Sequence, residues 1–304
     1  MRILVTGGAG YIGTSLIAQL QEQTEVEKII VYDNLSRENR NFFIGRDRLN
    51  SKKIHFIQGD LLDSRLLKKV IQEVNVVYHL AAKVTTPFSD QNPHLFEQVN
   101  HWGTAELVYA IEDSNVRRLI YLSSVSVYGA ADEQFKLTDA PLPKTFYGIS
   151  KLRGEQHVER LKDKIETYII RCGNVYGYNK SMRFDAVVNK MMFEANYLKR
   201  ITINGTGEQF RPFIHIDKAS LTLTALLNEQ LNSGVYNLID RNMAIGEIVE
   251  ALRNIYPNLE MIFVNQHMKM RQLKVERSKI LNAYCQSNSS LEEELIAFKK
   301  AFTF

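Results

Sequence analysis

Tyr147 and Lys151 are the residues of this 304-residue chain whose types and spacing most directly suggest chemistry. On a helix, side chains at positions i and i+4 lie on the same face. A nearby ammonium favours the phenolate and lowers the pKa of a tyrosine towards neutrality. A phenol tuned in this way can exchange a proton with a sugar hydroxyl while a hydride moves to a nicotinamide. A solvent-exposed helix pair is the alternative, because this spacing is common by itself.

Three serines could supply a hydroxyl to the same reaction. Ser123, Ser124 and Ser126 lie at the carboxyl end of the predicted strand Arg118–Ser123, where a hydroxyl can hydrogen-bond a reacting oxygen. Because side chains alternate along a strand, Ser124 and Ser126 are expected on the same side. At least one of the three serines is expected to be structural.

A glycine-rich turn near the N-terminus predicts a dinucleotide site. The stretch Gly8-Ala9-Gly10-Tyr11-Ile12-Gly13 follows a predicted strand and opens a predicted helix. The first glycines permit a tight turn, the middle one lets a pyrophosphate approach the backbone, and the last lets the helix pack on the strand. The helix N-terminus then binds the anion; the alternative is an ordinary glycine-rich turn. The residues expected to contact the dinucleotide here are Gly7, Gly10, Tyr11, Ile12 and Gly13.

Two acidic residues are placed to hold the adenosine half of that dinucleotide. Asp33 ends the predicted strand Lys28–Asp33, where a carboxylate accepts hydrogen bonds from a ribose 2′-hydroxyl. Its charge repels a 2′-phosphate and so favours NAD over NADP, although the nearby Arg37 works against that preference. Asp60, after the third predicted strand, is placed to meet the adenine; its alternative role is that of a turn or capping residue.

The elements that must position these residues alternate between short apolar runs and longer segments with helical periodicity. The predicted strands are Ile3–Thr6, Lys28–Asp33, Lys53–Ile57, Val74–Leu80, Arg118–Ser123 and Thr167–Arg171. The predicted helices are Tyr11–Gln21, Ser64–Gln72, Phe96–Asp113 and Tyr147–Lys162. This alternation predicts parallel β-α-β units, and near-continuous apolar strands suit a sheet covered on both faces. The expected fold class is α/β, a doubly wound parallel (Rossmann) sheet with ligands at the carboxyl ends of its strands.

After Cys172 the pattern changes and predicts a smaller, discontinuous C-terminal substrate lobe. We expect residues 1–172 to form the NAD-binding domain. Residues 173–304 would form mainly the lobe, with part of the chain returning to the Rossmann sheet. The elements predicted here are a helix at Met182–Leu198, strands at Arg200–Asn204, Phe213–Ile216 and Val235–Ile239, a helix at Ile245–Ile255, and a tail helix capped by Ser290.

Composition excludes several classes of protein. Lys plus Arg is 38 and Asp plus Glu is 34, so the net charge is only 38 − 34 = +4, and the charges are scattered, which disfavours nucleic-acid binding. The sequence contains no run of 18 apolar residues and no signal-peptide pattern, so we expect no membrane association. Cys172 and Cys285 form neither a metal motif nor a disulfide framework, which favours a cytoplasmic location and no metal.

Taken together, the motifs resemble the extended short-chain dehydrogenases/reductases of the NAD-dependent nucleotide-sugar epimerase/dehydratase family. The resemblance covers the chain nearly end to end, and several ordered motifs are more specific than any single one. The matching stretches are Thr6–Gly13, Asp33–Leu35, Gly59-Asp60, His79–Ala82, Asn100 with Gly103-Thr104, Ser123-Ser124 with Val127–Gly129, Tyr147–Lys151, Arg171 with Asn174–Gly177, and Arg211 with Phe213–Asp217.

The resemblance implies roles for the matching positions. Ser124, Tyr147 and Lys151 match the family's catalytic triad, with Lys151 also binding the nicotinamide ribose. Asn174 and Arg211 match residues that hold the diphosphate of a nucleotide sugar, and a guanidinium fork suits phosphate oxygens. Further cofactor-binding positions implied are Asn34, Leu61, Ala81, Ala82, Lys83 and Asn100, the last sometimes counted as a catalytic helper.

The reaction expected within the family is 4-epimerisation. Ser124-Val125-Ser126 stand where related 4,6-dehydratases resemble Thr-Asp-Glu, and elimination without that acidic pair lacks its general acid. The expected mechanism is reversible hydride transfer through a 4-keto sugar. The alternatives are a nucleotide-sugar C4 dehydrogenase or 4-ketoreductase, a dehydratase of the same family, and a non-catalytic NAD-binding protein.

Several positions leave the substrate open. Arg271 matches an arginine that other members use, while Arg183 and Asn189 could supply a different diphosphate grip or lie on a solvated helix face. Asn204 stands where many UDP-sugar enzymes have an aromatic residue near the uracil, and the missing ring could remove roughly 0.5–1.5 kcal/mol of stacking. Lys218 replaces a common aspartate. The sugar and the base are therefore not predicted.

A homodimer is also expected, because family members often pair through the helices that match Phe96–Asp113 and Tyr147–Lys162. These helices carry apolar residues beyond one core-facing stripe, unless those residues are simply core. The residues in question include Trp102, Leu107, Val108 and Ile111.

Overall fold

The computed structural model describes residues 1–38, 40–45, 49–84, 92–267, 270–284 and 289–304, so that Cys285 lies outside the described residues. The strands in chain order are β1 (Arg2–Thr6), β2 (Lys28–Asp33), β3 (Ile54–Gln58), β4 (Val76–His79), β5 (Arg118–Ser124), β6 (Gln134–Phe135), β7 (Glu166–Cys172), β8 (Asn174–Tyr176), β9 (Arg200–Asn204), β10 (Phe210–His215), β11 (Gly234–Leu238), β12 (Arg241–Ala244), β13 (Glu260–Val264) and β14 (Lys274–Val275).

The helices connect these strands. In chain order they are α1 (Tyr11–Leu20), α2 (Ser64–Ile71), α3 (Pro93–Phe96), α4 (Gly103–Glu112), α5 (Phe146–Val158), α6 (Val187–Phe193), α7 (Ile216–Ala225), α8 (Ile245–Ile255), α9 (Lys279–Asn282) and α10 (Leu291–Lys300). Two of them adjoin π-helical turns, which occupy Glu97–Trp102 before α4 and Glu194–Leu198 after α6. None of the helices in the described part of the chain is long and apolar enough to span a membrane.

A seven-stranded sheet in the order β11-β7-β5-β4-β1-β2-β3 forms the centre of the fold. All of its neighbouring strands pair in parallel, and this confirms the predicted doubly wound fold. On β1, Ile3 and Val5 belong to the apolar cluster on one face of the sheet, while Leu4 belongs to the cluster on the other. The strands are apolar throughout because both faces are covered.

The position of β1 at the centre of the sheet creates the binding crevice. From β1 the chain first moves to β2 on one side and later to β4 on the other. Loops leaving the carboxyl ends of β1 and β4 therefore diverge, and a crevice opens between them at this switch point.

A smaller set of sheets follows β7. It comprises the three-stranded sheet β12-β10-β8 and the two-stranded sheets β13-β9 and β14-β6. Within this region the chain returns to the central sheet as β11, which pairs with β7. Helix α7 also packs on the central domain, since Leu223 accepts a hydrogen bond from Tyr78 Oη at 3.0 Å. The boundary at residue 172 stays a prediction.

Lys218 joins the C-terminal helix to the rest of the molecule. Its side chain is 3% exposed, and Nζ lies 2.7 Å from Asp240 Oδ2 and 2.8 Å from Glu294 Oε1. Helix α10 carries Glu294 and begins after Ser290, whose hydroxyl accepts a hydrogen bond from the Glu293 N–H as predicted for the cap. Lys218, which stands where a common aspartate was expected, is therefore part of a buried ion network in this structure.

Candidate active site

The glycine turn between β1 and α1 forms one wall of the crevice. Gly7 has φ +69°, and a Cβ there would lie 2.6 Å from the Ala81 nitrogen, so neither the conformation nor the space admits a side chain. Gly10 caps α1, and the first turn of that helix carries no acidic residue. Its first N–H groups have no intrahelical partner. The turn therefore fits the pyrophosphate of a dinucleotide.

Asp33 lies above this turn at the end of β2. Its Oδ2 accepts a hydrogen bond from Ala9 N at 3.1 Å, and its Oδ1 accepts one from Leu35 N at 2.9 Å. Burial raises the pKa of Asp33, while these two backbone donors and Arg37 act in the opposite direction. The carboxylate is held in place by the backbone, with further lone pairs for ribose hydroxyls.

Asp60 and Asn34 meet beyond the carboxyl ends of β2 and β3. Asn34 Nδ2 donates to Asp60 Oδ2 at 2.8 Å, and Asp60 Oδ1 accepts from Leu62 N at 2.9 Å. Asp60 therefore does serve its turn, which was the alternative role, and its contact with adenine stays a prediction. Leu61 is buried in the core cluster beside α4, where only its backbone could face a ligand.

Asn100 fixes the segment that leaves β4. Its Oδ1 accepts from Lys83 N at 2.7 Å, and its Nδ2 donates to Lys83 O at 2.9 Å and to Ser150 Oγ at 3.0 Å. The amide is fully buried in the π-helical turn before α4. Asn100 thus ties Lys83, and with it the neighbouring Ala81 and Ala82, to helix α5. A direct contact of these residues with the cofactor stays a prediction.

Ser124 and Tyr147 meet at the carboxyl end of β5. Ser124 is 7% exposed; its hydroxyl donates to Ser126 Oγ at 3.1 Å, and Ser124 also lowers the pKa of the Tyr147 phenol. Tyr147 occupies the first turn of α5, which Thr145 caps by accepting a hydrogen bond from Gly148 N at 3.0 Å. The strand end and the helix start therefore place a hydroxyl and a phenol together.

Lys151 lies one turn along α5 and is almost completely buried. Its Nζ stands 4.2 Å from the centre of the Tyr121 ring, a cation–π contact. Burial lowers the pKa of Lys151 to about 7, opposed by the charge of Glu155. Within the described residues, Nζ has no hydrogen-bond acceptor. Such an ammonium fits the hydroxyls of a nicotinamide ribose.

The expected effect of Lys151 on Tyr147 is wrong for this structure. Burial raises the pKa of Tyr147, and the groups that act against burial are Ser124, Arg183 and Arg37. Lys151, whose ammonium lies over the Tyr121 ring, is not among these groups. Arg37 lies in the loop after β2 and Arg183 lies in the lobe, so the spacing of Tyr147 and Lys151 does not predict their influence on the phenol.

An ion pair beneath α5 was also missed from the sequence. Arg171 binds Glu155 through Nε–Oε1 at 3.1 Å and Nη2–Oε2 at 2.7 Å. Ser123 donates to Glu155 Oε1 at 2.5 Å and is thus the structural serine of the three. The available signal was that Glu155 continues the i, i+4 row begun by Tyr147 and Lys151.

Arg211 and Arg271 form a pair of cations at the lobe side of the crevice. Burial lowers the pKa of Arg211, and the charge of Arg271 lowers it further. Arg211 donates to the carbonyls of Phe210 and Arg271, and Arg271 Nη1 donates to Lys144 O at 3.3 Å. Over the described ranges, neither guanidinium has a carboxylate partner. Two unneutralised guanidiniums suit an anion such as a diphosphate.

The other predicted substrate residues are already engaged. Asn174 on β8 donates to Pro212 O at 3.0 Å. Arg183 makes a bidentate ion pair with Asp185, Nη2–Oδ2 being 2.7 Å. Asn189 is fully buried, accepting from Gly177 N and donating to Arg183 O, each at 3.0 Å. Neither Arg183 nor Asn189 lies on a solvated helix face, and their contact with diphosphate stays a prediction.

A cleft of about 470 Å³ lies beside Lys83, one of the predicted cofactor residues. Its described lining includes Arg37, Lys83, Phe96 and Asp185, which come from the loop after β2, the segment after β4, α3 and the lobe. A larger depression, of about 790 Å³, lies at the opposite ends of the strands and contains none of the predicted site residues.

A parallel sheet with this glycine turn and with a serine, tyrosine and lysine at the end of its fifth strand is the arrangement of short-chain dehydrogenases/reductases. Comparison with known proteins agrees with that class. The family model of the NAD dependent epimerase/dehydratase family matches residues 3–238. This protein belongs to that family, whose description names NAD and so confirms the cofactor expected from the sequence.

The similar proteins include both dehydratases and epimerases. The chain is 30% identical over 244 residues to dTDP-D-glucose 4,6-dehydratase of Bos taurus, covering 78% of this chain and 67% of that protein. It is 30% identical over 263 residues to a putative UDP-glucose 4-epimerase of Methanocaldococcus jannaschii, covering 83% and 81%. A crystal structure of UDP-glucuronic acid 4-epimerase from Bacillus cereus, in complex with UDP-glucuronic acid and NAD, superposes with TM-score 0.86 at 26% identity over 99% of this chain and 98% of that one.

Proposed function

We propose that this protein is a NAD-dependent nucleotide-sugar 4-epimerase. The observation that carries the proposal is the placement of Ser124 at a strand end and of Tyr147 in the first turn of α5, where the described residues offer no unpaired acid–base carboxylate. Positions 125 and 126 hold valine and serine. The carboxylates described in this region, Glu155 and Asp185, are each bound to an arginine. Proton exchange with a sugar hydroxyl is supported, whereas elimination of a second hydroxyl lacks its general acid.

The residues of the cleft divide the work of this reaction. NAD⁺, when bound, supplies the hydride acceptor. Tyr147, in the phenolate form that Ser124, Arg183 and Arg37 favour, would take the proton from the C4 hydroxyl as the C4 hydride leaves, and Ser124 would hydrogen-bond the same oxygen. Lys151 holds the nicotinamide ribose. The products of this step are a 4-keto sugar and a protonated phenol, and the reverse step on the other face of the ketone returns both hydrogens.

The cation pair of the lobe supports a rotation of the 4-keto sugar between the two hydride-transfer steps. Arg211 and Arg271 would hold the diphosphate, with Asn174 beside them on the neighbouring strand. A diphosphate fixed at one end leaves the sugar ring free to rotate and to present its other face. The relatives named as 4-epimerases, with 30% and 26% identity, support the same reaction for this chain.

The assembly we propose is a homodimer formed by α4 and α5. Leu107, Val108 and Ile111 do not support it, because all three are buried in the core of the monomer. Trp102, however, is 54% exposed, and Tyr109 on α4 is 37% exposed. Light scattering at micromolar concentration checks this proposal, and a strictly monomeric mass would contradict it.

We propose a cytoplasmic location because the two cysteines provide no disulfide framework.

A substrate panel tests the proposed reaction. The purified protein is incubated with UDP-glucose, UDP-glucuronic acid, UDP-N-acetylglucosamine and dTDP-glucose in the presence of NAD, and the products are resolved by NMR. The expected product is the C4 epimer of one of these sugars, with no loss of mass. Tyr147→Phe, which keeps the ring, should not form it.

The other outcomes identify the alternatives. Loss of water from a sugar nucleotide would show a dehydratase, and NADH accumulating in proportion to the oxidised sugar would show a C4 dehydrogenase. No conversion of any sugar, together with tight NAD binding, would return the non-catalytic interpretation.

A further inference from the structure

Glu155 is a buried carboxylate that the proposed mechanism does not use. It is 1% exposed, on the last turns of α5, and it meets two strands of the central sheet. Arg171 on β7 binds both of its oxygens, and Ser123 on β5 donates to one of them. Ser123 directly precedes Ser124, so this carboxylate is connected to the strand end that carries the serine of the site.

The same carboxylate acts on Lys151, four residues earlier on the same helix. Burial lowers the pKa of Lys151, and the charge of Glu155 is the influence that opposes it. A buried ammonium that loses its nearest anion gives up its proton more readily. The fraction of Lys151 that is charged at neutral pH therefore depends on Glu155.

Other groups packed around Lys151 do not replace that charge. Tyr121 on β5 lies under Nζ, and burial raises the pKa of its phenol, which is neutral. His79 on β4 stacks on Tyr121 with ring centres 5.4 Å apart, and burial lowers the pKa of His79 to about 3. The α4 residue Thr104 and Thr6 satisfy both nitrogens of that neutral imidazole.

The remaining ionised neighbour is Arg171, which has the wrong sign for an ammonium. Its guanidinium stands 4.8 Å from the centre of the Tyr128 ring and is bound to Glu155. If Glu155 lost its charge, Arg171 would become an uncompensated buried cation beneath α5 and could not replace the anion beside Lys151.

We propose that Glu155 is a positioning residue of the active site: its carboxylate keeps the Lys151 ammonium charged and fixes, through Ser123, the strand end that presents Ser124. This inference rests on the proposed role of Lys151 at the nicotinamide ribose. It does not depend on which sugar is converted, so a failure of the 4-epimerase proposal leaves it testable.

The test compares charge with shape at position 155. Glu155→Gln keeps the length of the side chain and a hydrogen-bond acceptor for Ser123 but removes the charge, whereas Glu155→Asp keeps the charge and shortens the side chain. NADH affinity is measured by fluorescence titration between pH 6 and pH 9. Circular dichroism verifies that each variant is folded.

Affinity should follow the charge. In Glu155→Gln the pH at which NADH binding weakens should fall by about one unit, which corresponds to about ten-fold weaker binding on the alkaline side. At pH 6, where about half of Lys151 is still protonated in the variant, affinity should stay within about three-fold of the wild type. Glu155→Asp should keep the wild-type midpoint. Lys151→Met should remove this pH dependence, which assigns it to Lys151.

A shape effect would give the opposite ranking. A shifted midpoint in Glu155→Asp with an unchanged one in Glu155→Gln would overturn the inference, and so would equal shifts in both. If Glu155→Gln does not fold, Glu155→Asp and Ser123→Ala decide the matter. Ser123→Ala removes the hydrogen bond without changing any charge, so a wild-type midpoint in both supports the inference and a shift in either contradicts it.

Discussion

The cleft and the junction between the central sheet and the lobe both bury cations, but only the junction neutralises them. At the junction, Lys218 binds Asp240 and Glu294 at 2.7 and 2.8 Å. In the cleft, Lys151 has an aromatic ring beneath it, and Arg211 has Arg271 as its neighbour. No carboxylate in the described part of the chain pairs with either of these cleft cations.

This difference separates cations that hold the fold together from cations that are free to bind ligands. Replacing a buried cation that is already paired with carboxylates destabilises the folded protein, because buried anions lose a partner. A cation without a partner destabilises the protein by itself and regains that free energy when a ligand arrives. Substitutions should therefore have opposite effects on stability and on binding in the two regions.

The largest effect in the cleft is expected from Tyr147→Phe. The substitution keeps the ring but removes the proton-transferring oxygen, so turnover should fall by roughly 10²–10⁴-fold. NADH affinity should survive, because the glycine turn and Asp33 are unchanged. Steady-state kinetics with the substrate found by the panel measure the loss, and Tyr109→Phe on the surface of α4 is the matched control. Near-wild-type turnover in Tyr147→Phe would eliminate the phenol as the acid–base group.

A second prediction concerns the pH dependence of stability in the absence of cofactor. Between about pH 7 and pH 10.5 an unfolded chain binds the Lys151 proton while the folded chain does not, so stability from this group rises with pH across that window. Below it, the folded protein carries the full penalty of a buried charge. Lys151→Met should therefore be more stable than the wild type at pH 6, by roughly 2–4 kcal/mol, and the advantage should shrink as pH rises.

The junction provides the matched comparison. Lys218→Met should destabilise the protein at neutral pH by roughly 1.5–3 kcal/mol, since Asp240 and Glu294 lose a charged hydrogen-bond donor but keep Arg241 as a partner. Chemical denaturation of both variants at several pH values measures the two signs. If both methionine variants are destabilised at pH 6, the distinction between the two regions is incorrect.

The central domain could be predicted largely because each of its strands is a short apolar run between helical segments. The strand Lys28–Asp33 begins and ends as expected. In the second half, Ile245–Ile255 was also found, since its apolar residues recur with helical spacing. These elements are specified by local pattern, and the motif residues at their ends are placed with them.

Elements that depend on distant contacts were not found. Helix α7 contains Thr222 and Thr224, residues with low helix propensity, whose hydroxyls donate to the carbonyls of Lys218 and Ser220 one turn earlier. The predicted helix Met182–Leu198 begins only at Val187, because Arg183 and Asp185 pair before it. The strand β12 pairs with β10, which is not its neighbour in the sequence, and no local sequence pattern predicts β12.

The site shows the same division. Ser124, Tyr147 and Lys151 could be assigned because two of them share a helix and the third ends a strand. The influence of Arg37 and Arg183 on Tyr147 could not, because it joins three distant segments of the chain. The spacing on α5 places Glu155 in the row of Tyr147 and Lys151, but it does not reveal the partner Arg171, which lies on a strand.

Arg211 allows a third test of the cleft. Arg211→Met removes one of the two unneutralised guanidiniums and should weaken nucleotide-sugar binding by roughly 1.5–3 kcal/mol, a charge-assisted hydrogen bond being worth about that much. NADH affinity should stay the same, and stability should not fall, because no described carboxylate is left unpaired. Isothermal titration with UDP measures the change, and Arg253→Met, an exposed pair with Glu250 on α8, is the control. Unchanged UDP affinity would place the diphosphate elsewhere.

The smallest effect is expected at Asn204, at the end of β9 in the lobe. Asn204 is partly exposed, and the one hydrogen bond described for its side chain is long, from Asn265 Nδ2 at 3.4 Å, so little is lost by replacing that side chain. If the nucleotide base lies here, as the resemblance to UDP-sugar enzymes implies, Asn204→Tyr offers it a ring to stack on. Stacking is worth roughly 0.5–1.5 kcal/mol, which would tighten UDP binding by about two- to ten-fold.

Arg271 and Arg211 remain in place, so the gain in UDP affinity should add to their contribution and should persist in Arg211→Met. Titration of both proteins with UDP measures it. Weaker UDP binding in Asn204→Tyr would show that the base does not occupy this edge of the lobe, and that the cation pair alone anchors the nucleotide.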